Sequence, residues 1–490
     1  MRCAQKLRDS MRTELTSDGK WVSIKGFMSA PDSDAVEQFK QGSLHWKVPA
    51  THPVALQYLP DSISKLLVSP VPTWTAEKPR GIHEDLWDKL FPYQKETVSA
   101  VVHKYRGRCL LAHEMGLGKT VQAIALMQHY GSPVLVLCPA FLKLNWKREI
   151  SKWAPSVDAT IVSYDSMRTN PPGSMNGSMN AWKLVVADES HYIKHLNSQR
   201  TQAALPYIMQ CDHALLLSGT PCPNRPEELF APLCALRPSI VGSFQCFAKR
   251  YCNARKTRFC NFDTTGHCRQ GELSWLLRRA FMLRKTKDEV KLQLPPKNQI
   301  EVHVESSDKT ALCRIAELSE QMEDASPLAV KVLVGESFRA TCRAKLDVVS
   351  RYCVAQATRV PTVVFAHHRD MLDRLQSAAE DNNLNCVRID GSTSQSHRQQ
   401  IVDAVQRKEF DIACFSMAAT GVGLTLTAVS EVIFAELPWN PAVLRQCEDR
   451  VYRIGQESPC FIRYIMCNDT LDDYVWKKIY KKERVSRAIV

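Results

Sequence analysis

Two stretches of this 490-residue chain share one rhythm, in which short apolar runs ending in polar or Gly-bearing turns alternate with helical stretches. From about Leu86 to Arg237 the runs are Cys109–Ala112, Val134–Cys138, Ala159–Ser163, Leu184–Ala187 and Ala214–Ser218. From about Ala344 onward they are Thr362–Phe365, Cys386–Ile389, Ile412–Phe415, Val432–Ala435 and Phe461–Ile465. Strand, helix, strand is the βαβ rhythm of a parallel sheet, so two α/β domains are predicted. Functional groups then belong at the C-terminal strand edges. Between the two, Pro238 to Lys345 reads as helical and basic, with a loop near Lys256–Gly271. Residues 1–75 hold enough apolar positions, among them Trp21, Phe39, Trp46, Leu59 and Leu67, for a small module of strands and a helix. A linker rich in Pro and charge, Ser69–Glu84, follows it.

Charge points to a polyanionic partner. The net charge is +13, and the segment Phe244–Lys297 carries 13 Lys/Arg against 4 Asp/Glu. Concentrated positive charge gives salt-dependent affinity for phosphate backbones. No apolar run approaches the roughly 18 residues of a membrane span, and the polar N-terminus shows no secretory signal. A soluble intracellular protein with reduced thiols is expected. Of the 18 cysteines none forms a C-x-x-C pair. The spacing of Cys246, Cys252, Cys260, His267 and Cys268 is too loose for a zinc ribbon and favours plain thiols.

The chemistry begins at His113–Thr120, which lies between a strand candidate and the helix candidate Val121–Tyr130. Glu114, Met115, Gly116, Leu117 and Gly118 form a curl whose N–H groups can converge on an anion at a helix N-terminus. Lys119 then reaches the β/γ-phosphates, and the Thr120 hydroxyl can ligate Mg²⁺. His113 stands where the full signature has Gly. Asp188-Glu189 closes the run Leu184–Ala187. Asp188 is expected to hold Mg²⁺ and Glu189 to orient or deprotonate the attacking water. Ser218-Gly219-Thr220-Pro221 ends the next run, where small hydroxyls can contact the acidic pair. Gln94 opens a helix before the phosphate loop and can read an adenine edge. Arg450 and Arg453, three apart, are read as sharing a helix face and serving as arginine fingers, with Gln446 one turn earlier.

Together these elements resemble the helicase-like ATPases of superfamily two, specifically the SWI/SNF-type DNA translocases, over about residues 86–490. The motifs fall in order: Phe91–Gln94, His113–Thr120, Leu137–Trp153, Ile161–Asp165, Asp188–His191, Ser218–Pro221, Phe281–Lys297, Thr362–His367, Arg388–Thr393, Ser416–Thr425 and Gln446–Gln456. Within that family, Phe247–Ala254, Val364–His368, Val432–Pro441 and Thr470–Trp476 look like the annealing-helicase branch with HARP modules. Ala35–Pro49, with Phe39, Lys40, Trp46 and Lys47, looks like a diverged HARP segment.

The resemblance implies two RecA-like parallel-sheet domains with a basic helical insert and a small N-terminal accessory module. The expected divisions are 1–75, 76–237, 238–344 and 345–490. It implies ATP and Mg²⁺ as cofactors, Gln94, Gln446 and residues 114–120 around the nucleotide, and DNA contacts from Lys143, Asn145, Trp146, Thr420, Thr425, Trp439 and Asn440. The implied activity is DNA-dependent ATP hydrolysis that rewinds strands and remodels stalled forks in the nucleus. Branched or forked DNA and single-strand/double-strand junctions are the expected partners. A single-strand-binding protein is a further one, although no motif for recruiting it precedes the HARP-like segment. A chromatin-remodelling motor is the rival enzyme, against which stands the lack of bromodomain-, chromo- or SANT-like segments. An ATP-binding, non-hydrolysing DNA scaffold is the rival outside enzymes. Its motive is His113, where the family usually has Asp; Tyr452 likewise replaces a usual His. An imidazole titrating near neutrality at 113 would make phosphate affinity rise as pH falls.

Overall fold

The computed structural model describes residues 12–25, 45–51, 55–56, 59–172, 182–257, 262–290, 294–418 and 424–490. By contact the chain divides into two units. One comprises the chain up to Glu114, Gly118–Val290 and Arg484–Val490; the other comprises Lys291–Glu483 with the loop residues Met115–Leu117.

The first unit opens with an antiparallel sheet of β1 (Arg12–Leu15), β2 (Trp21–Lys25) and β3 (His45–Pro49), followed by the helix Asp61–Val68. Its core is Leu15, Val22, Val48, Ala50, Ala55, Leu59 and Ile63, closed by Trp275 from the main body of the unit. Of the HARP-like segment, Trp46 and Lys47 lie on β3, whereas Phe39 and Lys40 fall outside the described residues. The main body is a parallel sheet of β4 (Arg108–Leu111), β5 (Val134–Cys138), β6 (Ala159–Ser163), β7 (Leu184–Ala187), β8 (His213–Leu217) and β9 (Met282–Leu283). Its order is β6-β5-β7-β8-β4-β9. Successive strand residues point to opposite faces, and here both faces are covered. Leu110, Leu135, Val185 and Leu216 enter one apolar cluster, while Leu111, Val136, Val186 and Leu217 enter another. That is why these strands read as continuous apolar runs rather than alternating ones.

The second unit repeats the plan with β10 (Lys297–Val304), β11 (Thr362–Ala366), β12 (Cys386–Ile389), β13 (Ile412–Ser416), β14 (Glu431–Phe434) and β15 (Cys460–Cys467), in the order β10-β15-β14-β11-β13-β12. All its pairings are parallel. Phe365, Phe415, Phe434 and Tyr464 fill one face; Val364, Cys414, Ile433 and Ile465 fill the other. The segment expected as a helical insert, 238–344, is not helical throughout. It contributes β9 to the first sheet, by pairing with β4, and β10 to the second, by pairing with β15. Two residues of β9 are too few to show a period. β10 is an edge strand whose alternating Ile300, Val302 and Val304 are diluted by polar neighbours.

The accessory sheet meets the main body at a buried carboxylate, and Arg269 also donates to the Thr13 carbonyl of β1. Glu272, fully buried, accepts from Arg250 Nε at 2.5 Å, Arg250 Nη2 at 2.6 Å, Tyr251 Oη at 2.9 Å and the Leu15 backbone N–H at 3.3 Å. Gly19 lies so close to Trp275 that a Cβ there would stand 2.1 Å from the indole nitrogen. Removing one partner of a buried ion pair costs about 3–5 kcal/mol because the other charge is stranded. Glu272→Ala is therefore expected to lower the stability of the first unit by about that amount. Urea unfolding of the full chain followed by fluorescence checks this, and an unchanged midpoint would contradict it.

Candidate active site

The candidate phosphate loop is zipped along one side to β9 and the segment that follows it. Ala112 N–H donates to Leu283 O at 2.7 Å and Glu114 N–H to Lys285 O at 3.0 Å. In return Lys287 N–H donates to Glu114 Oε2 at 2.9 Å and Arg284 Nη1 to Ala112 O at 2.9 Å. Gly118 caps the helix Lys119–Tyr130 with φ +72°. The left-handed backbone favours glycine, and a Cβ there would stand 2.4 Å from Gln94 Nε2 and displace that amide. Lys119 Nζ folds back onto the carbonyls of His113 at 2.8 Å and Glu114 at 3.2 Å. Thr120 lies in the first turn of the same helix. Gln94 is buried beside the loop, and its Oε1 accepts Phe91 N–H at 2.9 Å in a helix cap.

His113 does not titrate near neutrality. It is fully buried, and burial together with the charges of Lys119, Lys285 and Arg284 pushes its pKa down to about 3. Lys285 N–H donates to its Nδ1 at 2.9 Å, and its Nε2 stands 3.0 Å from Thr97 Oγ1. The imidazole is neutral at any physiological pH, which removes the expected rise of phosphate affinity on acidification.

The acidic pair stands at the end of β7, as its position in the sequence predicts. Asp188 Oδ2 accepts the Trp146 indole N–H at 2.9 Å, and Oδ1 accepts Glu189 N–H at 2.9 Å. Burial and the Glu189 charge raise its pKa to about 6, against the opposing effect of these hydrogen bonds and of Lys119. Glu189 adopts a left-handed backbone at φ +49°, and its Oε2 lies 3.3 Å from His191 Nδ1. Non-glycine residues held there mark functional strain often enough to support a role for this one. Ser218 Oγ accepts Thr220 N–H at 3.1 Å; the Thr220 hydroxyl oxygen is buried and has no hydrogen-bond partner among the described residues.

Trp146 corrects the expectation of a DNA contact. It is fully buried, and its N–H is committed to Asp188. On the helix Lys143–Trp153 it shares the inner face with Ile150, while Lys143 and Asn145 are exposed. Tyr164, not singled out from sequence, donates to Asp188 O at 2.7 Å and supports the same turn.

In the second unit the helix Pro441–Val451 carries Gln446 and Arg450. Arg453 lies beyond the helix end, so the two arginines do not share a helix face. The turn there is set by Gly455 at φ +96°. They are still close enough that Arg450, after burial, lowers the Arg453 pKa. Arg453 Nη1 donates to Thr425 Oγ1 at 3.1 Å. Asn440 caps the helix, its Oδ1 accepting Ala442 N–H at 3.0 Å, and Trp439 is half-buried against Phe338 and Tyr474. Thr420 lies outside the described residues. Missed from sequence was Glu448, which anchors this helix by accepting from Lys297 of β10 and from Tyr464 Oη at 2.6 Å. Cys342, His368 and Glu436 also converge. Glu436 is already engaged, though, by His368 Nδ1 at 2.5 Å and by the His367 and His368 backbone N–H groups. Among the described residues Cys246, Cys252, His267 and Cys268 form no ligand group.

Two family models match this chain: the SNF2-related domain over residues 93–175 and 157–313, and the helicase conserved C-terminal domain over residues 344–455. The SWI/SNF-related matrix-associated actin-dependent regulator of chromatin subfamily A-like protein 1 of Xenopus tropicalis is 35% identical over 82% of this chain and 45% of its own length. The human DNA annealing helicase and endonuclease ZRANB3 is 35% identical over 81% of this chain and 40% of its own. The chain thus spans under half the length of these relatives. The Sulfolobus solfataricus SWI2/SNF2 ATPase core, solved in complex with dsDNA, aligns with 85% of this chain and 96% of its own at 21% identity and a TM-score of 0.41.

The Asp188 environment generates a pH prediction. A raised carboxyl pKa means that the ionised form is lost as pH falls through about 6. The acid limb of kcat/KM for ATP, which reports the free protein, is expected there. Trp146→Phe deletes a hydrogen bond to the charged form and should move the limb to higher pH. A limb unmoved in Trp146→Phe would contradict this assignment.

Proposed function

The chain belongs to the SWI/SNF-type family of SNF2-related, helicase-like ATPases, and from that premise we propose an ATP-dependent DNA translocase that rewinds strands and remodels stalled forks. The observation that carries this reading is the junction of two features in one unit. The loop lysine Lys119 lies near enough to Asp188 to oppose its pKa shift, and Asp188 and Glu189 close the adjacent strand. ATP binds on residues 114–120 with Gln94 and Gln446 beside it. Each Asp188 oxygen accepts one hydrogen bond and keeps further acceptor capacity, which fits Mg²⁺ held by Asp188 and Thr120. The ion, when bound, neutralises phosphate charge. Glu189 orients and deprotonates the attacking water, and Arg450 and Arg453 act as arginine fingers on the developing charge. His113, neutral and fully hydrogen-bonded, leaves no reason to prefer a non-hydrolysing scaffold.

DNA is gripped through its backbone, by Lys143, Asn145, Thr420, Thr425, Trp439 and Asn440, with residues 1–75 as a HARP-like module. Forked DNA and single-strand/double-strand junctions in the nucleus are the substrates, with a single-strand-binding protein as partner, in replication-fork processing and DNA repair. Among the described residues no helix is long and apolar enough to cross a membrane.

ATP hydrolysis with no DNA, linear duplex and forked DNA tests the reading. Strong stimulation by forked DNA, abolished in Lys119→Ala, is the expected result. Arg450→Ala or Arg453→Ala should lower the stimulated kcat by about 10³-fold or more, as loss of an arginine finger does elsewhere. ATP bound without turnover under every condition would overturn the reading.

A further inference from the structure

We propose that His113 is a positioning residue that ties the adenine-side helix Pro92–His103 to the phosphate loop, and so sets the preference of the site for ATP over other nucleoside triphosphates. The proposal rests on the ATP-site reading above and adds a role for a residue peculiar to this loop.

The hydrogen bonds fix one tautomer. Lys285 N–H can only donate, so Nδ1 must be the unprotonated nitrogen that receives it at 2.9 Å. The ring proton is therefore on Nε2, 3.0 Å from Thr97 Oγ1. Thr97 donates its own hydroxyl proton to Tyr93 O at 2.8 Å, which leaves a lone pair for His113 to donate to. Each donor in the chain Lys285–His113–Thr97–Tyr93 thus has an acceptor within it. The Gln122 side chain also faces the ring, and Lys119, Lys285 and Arg284 supply the surrounding positive charge.

What this chain of bonds positions follows from its ends. Thr97 lies three residues after Gln94, on the same turn of the helix. Gln94 Nε2 sits over Gly118, where even a methyl group would stand 2.4 Å from it. Among the described residues the helix thus approaches the loop at Gly118, beside Gln94, and through the His113–Thr97 hydrogen bond. The His113–Thr97 hydrogen bond adds a directional tie between helix and loop to the apolar cluster that Val98 and Val101 share with Leu111 and Ala123. A carboxylate at position 113 could only accept, so the Thr97 hydroxyl would have to give up Tyr93 O to bond it. When either the Thr97 hydroxyl or His113 Nε2 is deleted the tie is lost, and the cost falls on recognition of the base rather than on the phosphates, which the zipped loop still holds.

Equilibrium titration of the full chain with N-methylanthraniloyl-ATP and N-methylanthraniloyl-GTP tests the proposal in the unaltered protein, Thr97→Val, His113→Asn and the double variant. Thr97→Val keeps the shape and deletes the acceptor. His113→Asn keeps an acceptor near Lys285 N–H and deletes Nε2. Each single change is expected to weaken the ATP probe about tenfold, the scale of one buried hydrogen bond, and the GTP probe by less than about twofold. The double variant should be no weaker than either single one, since both delete the same bond. Thr97→Val carries the test if His113→Asn does not fold. Equal losses for the two probes, losses that add in the double variant, or no loss would overturn the proposal. Failure of the unaltered chain to bind either probe would instead overturn the ATP-site reading on which it stands.

Discussion

The site depends on the pairing of the phosphate loop's first residues with the strand segment 282–287. Backbone groups of Ala112 and Glu114, a side-chain oxygen of Glu114 and the imidazole of His113 all bond to Leu283–Lys287. A loop that must present its N–H groups to an anion cannot satisfy them internally, so its other polar groups have to be fixed from outside. Here a segment about 170 residues further along the chain does so. It leads back through the π-helical turn Leu277–Phe281 to Gln270–Leu276, where Glu272 receives the accessory sheet. The base of the phosphate loop (Ala112–Glu114), β9 and the N-terminal sheet are therefore joined within one unit by a short run of backbone.

The same constraint explains why a histidine is tolerated where the resemblance leads one to expect an aspartate. A charged imidazole would be costly there, surrounded by Lys119, Lys285 and Arg284. A neutral one with a backbone donor on one nitrogen and a threonine acceptor on the other costs little. The residue is part of the scaffold of the loop, and the positive charge at the loop is that of Lys119, not of the imidazole.

Much of the fold was legible because parallel strands covered on both faces are uniformly apolar. Runs such as Val134–Cys138 and Leu184–Ala187 coincide with strands of the sheet. β9 escaped notice for want of length, and β10 for its position at the edge. At the site, Lys119, Asp188 and Glu189 fall where their motifs place them, at a helix start and a strand end. Trp146 did not. Its motif suggested a surface role, yet Leu142, Trp146 and Ile150, four residues apart, already described an inward-facing stripe. Spacing put Arg453 on a helix that ends two residues earlier. The hydrogen-bond roles of Thr97 and Tyr164 depend on contacts across 16 and 24 residues, which no local pattern records.

The central claim is that ATP turnover drives movement on branched DNA. Regression of a labelled synthetic fork by the full chain, with ATP and with a non-hydrolysable analogue, tests it most directly. The account predicts regression with ATP alone, and none by Glu189→Gln although that variant still binds nucleotide. Regression that proceeds equally with the analogue, or ATP hydrolysis at full rate with the fork unmoved, would contradict it.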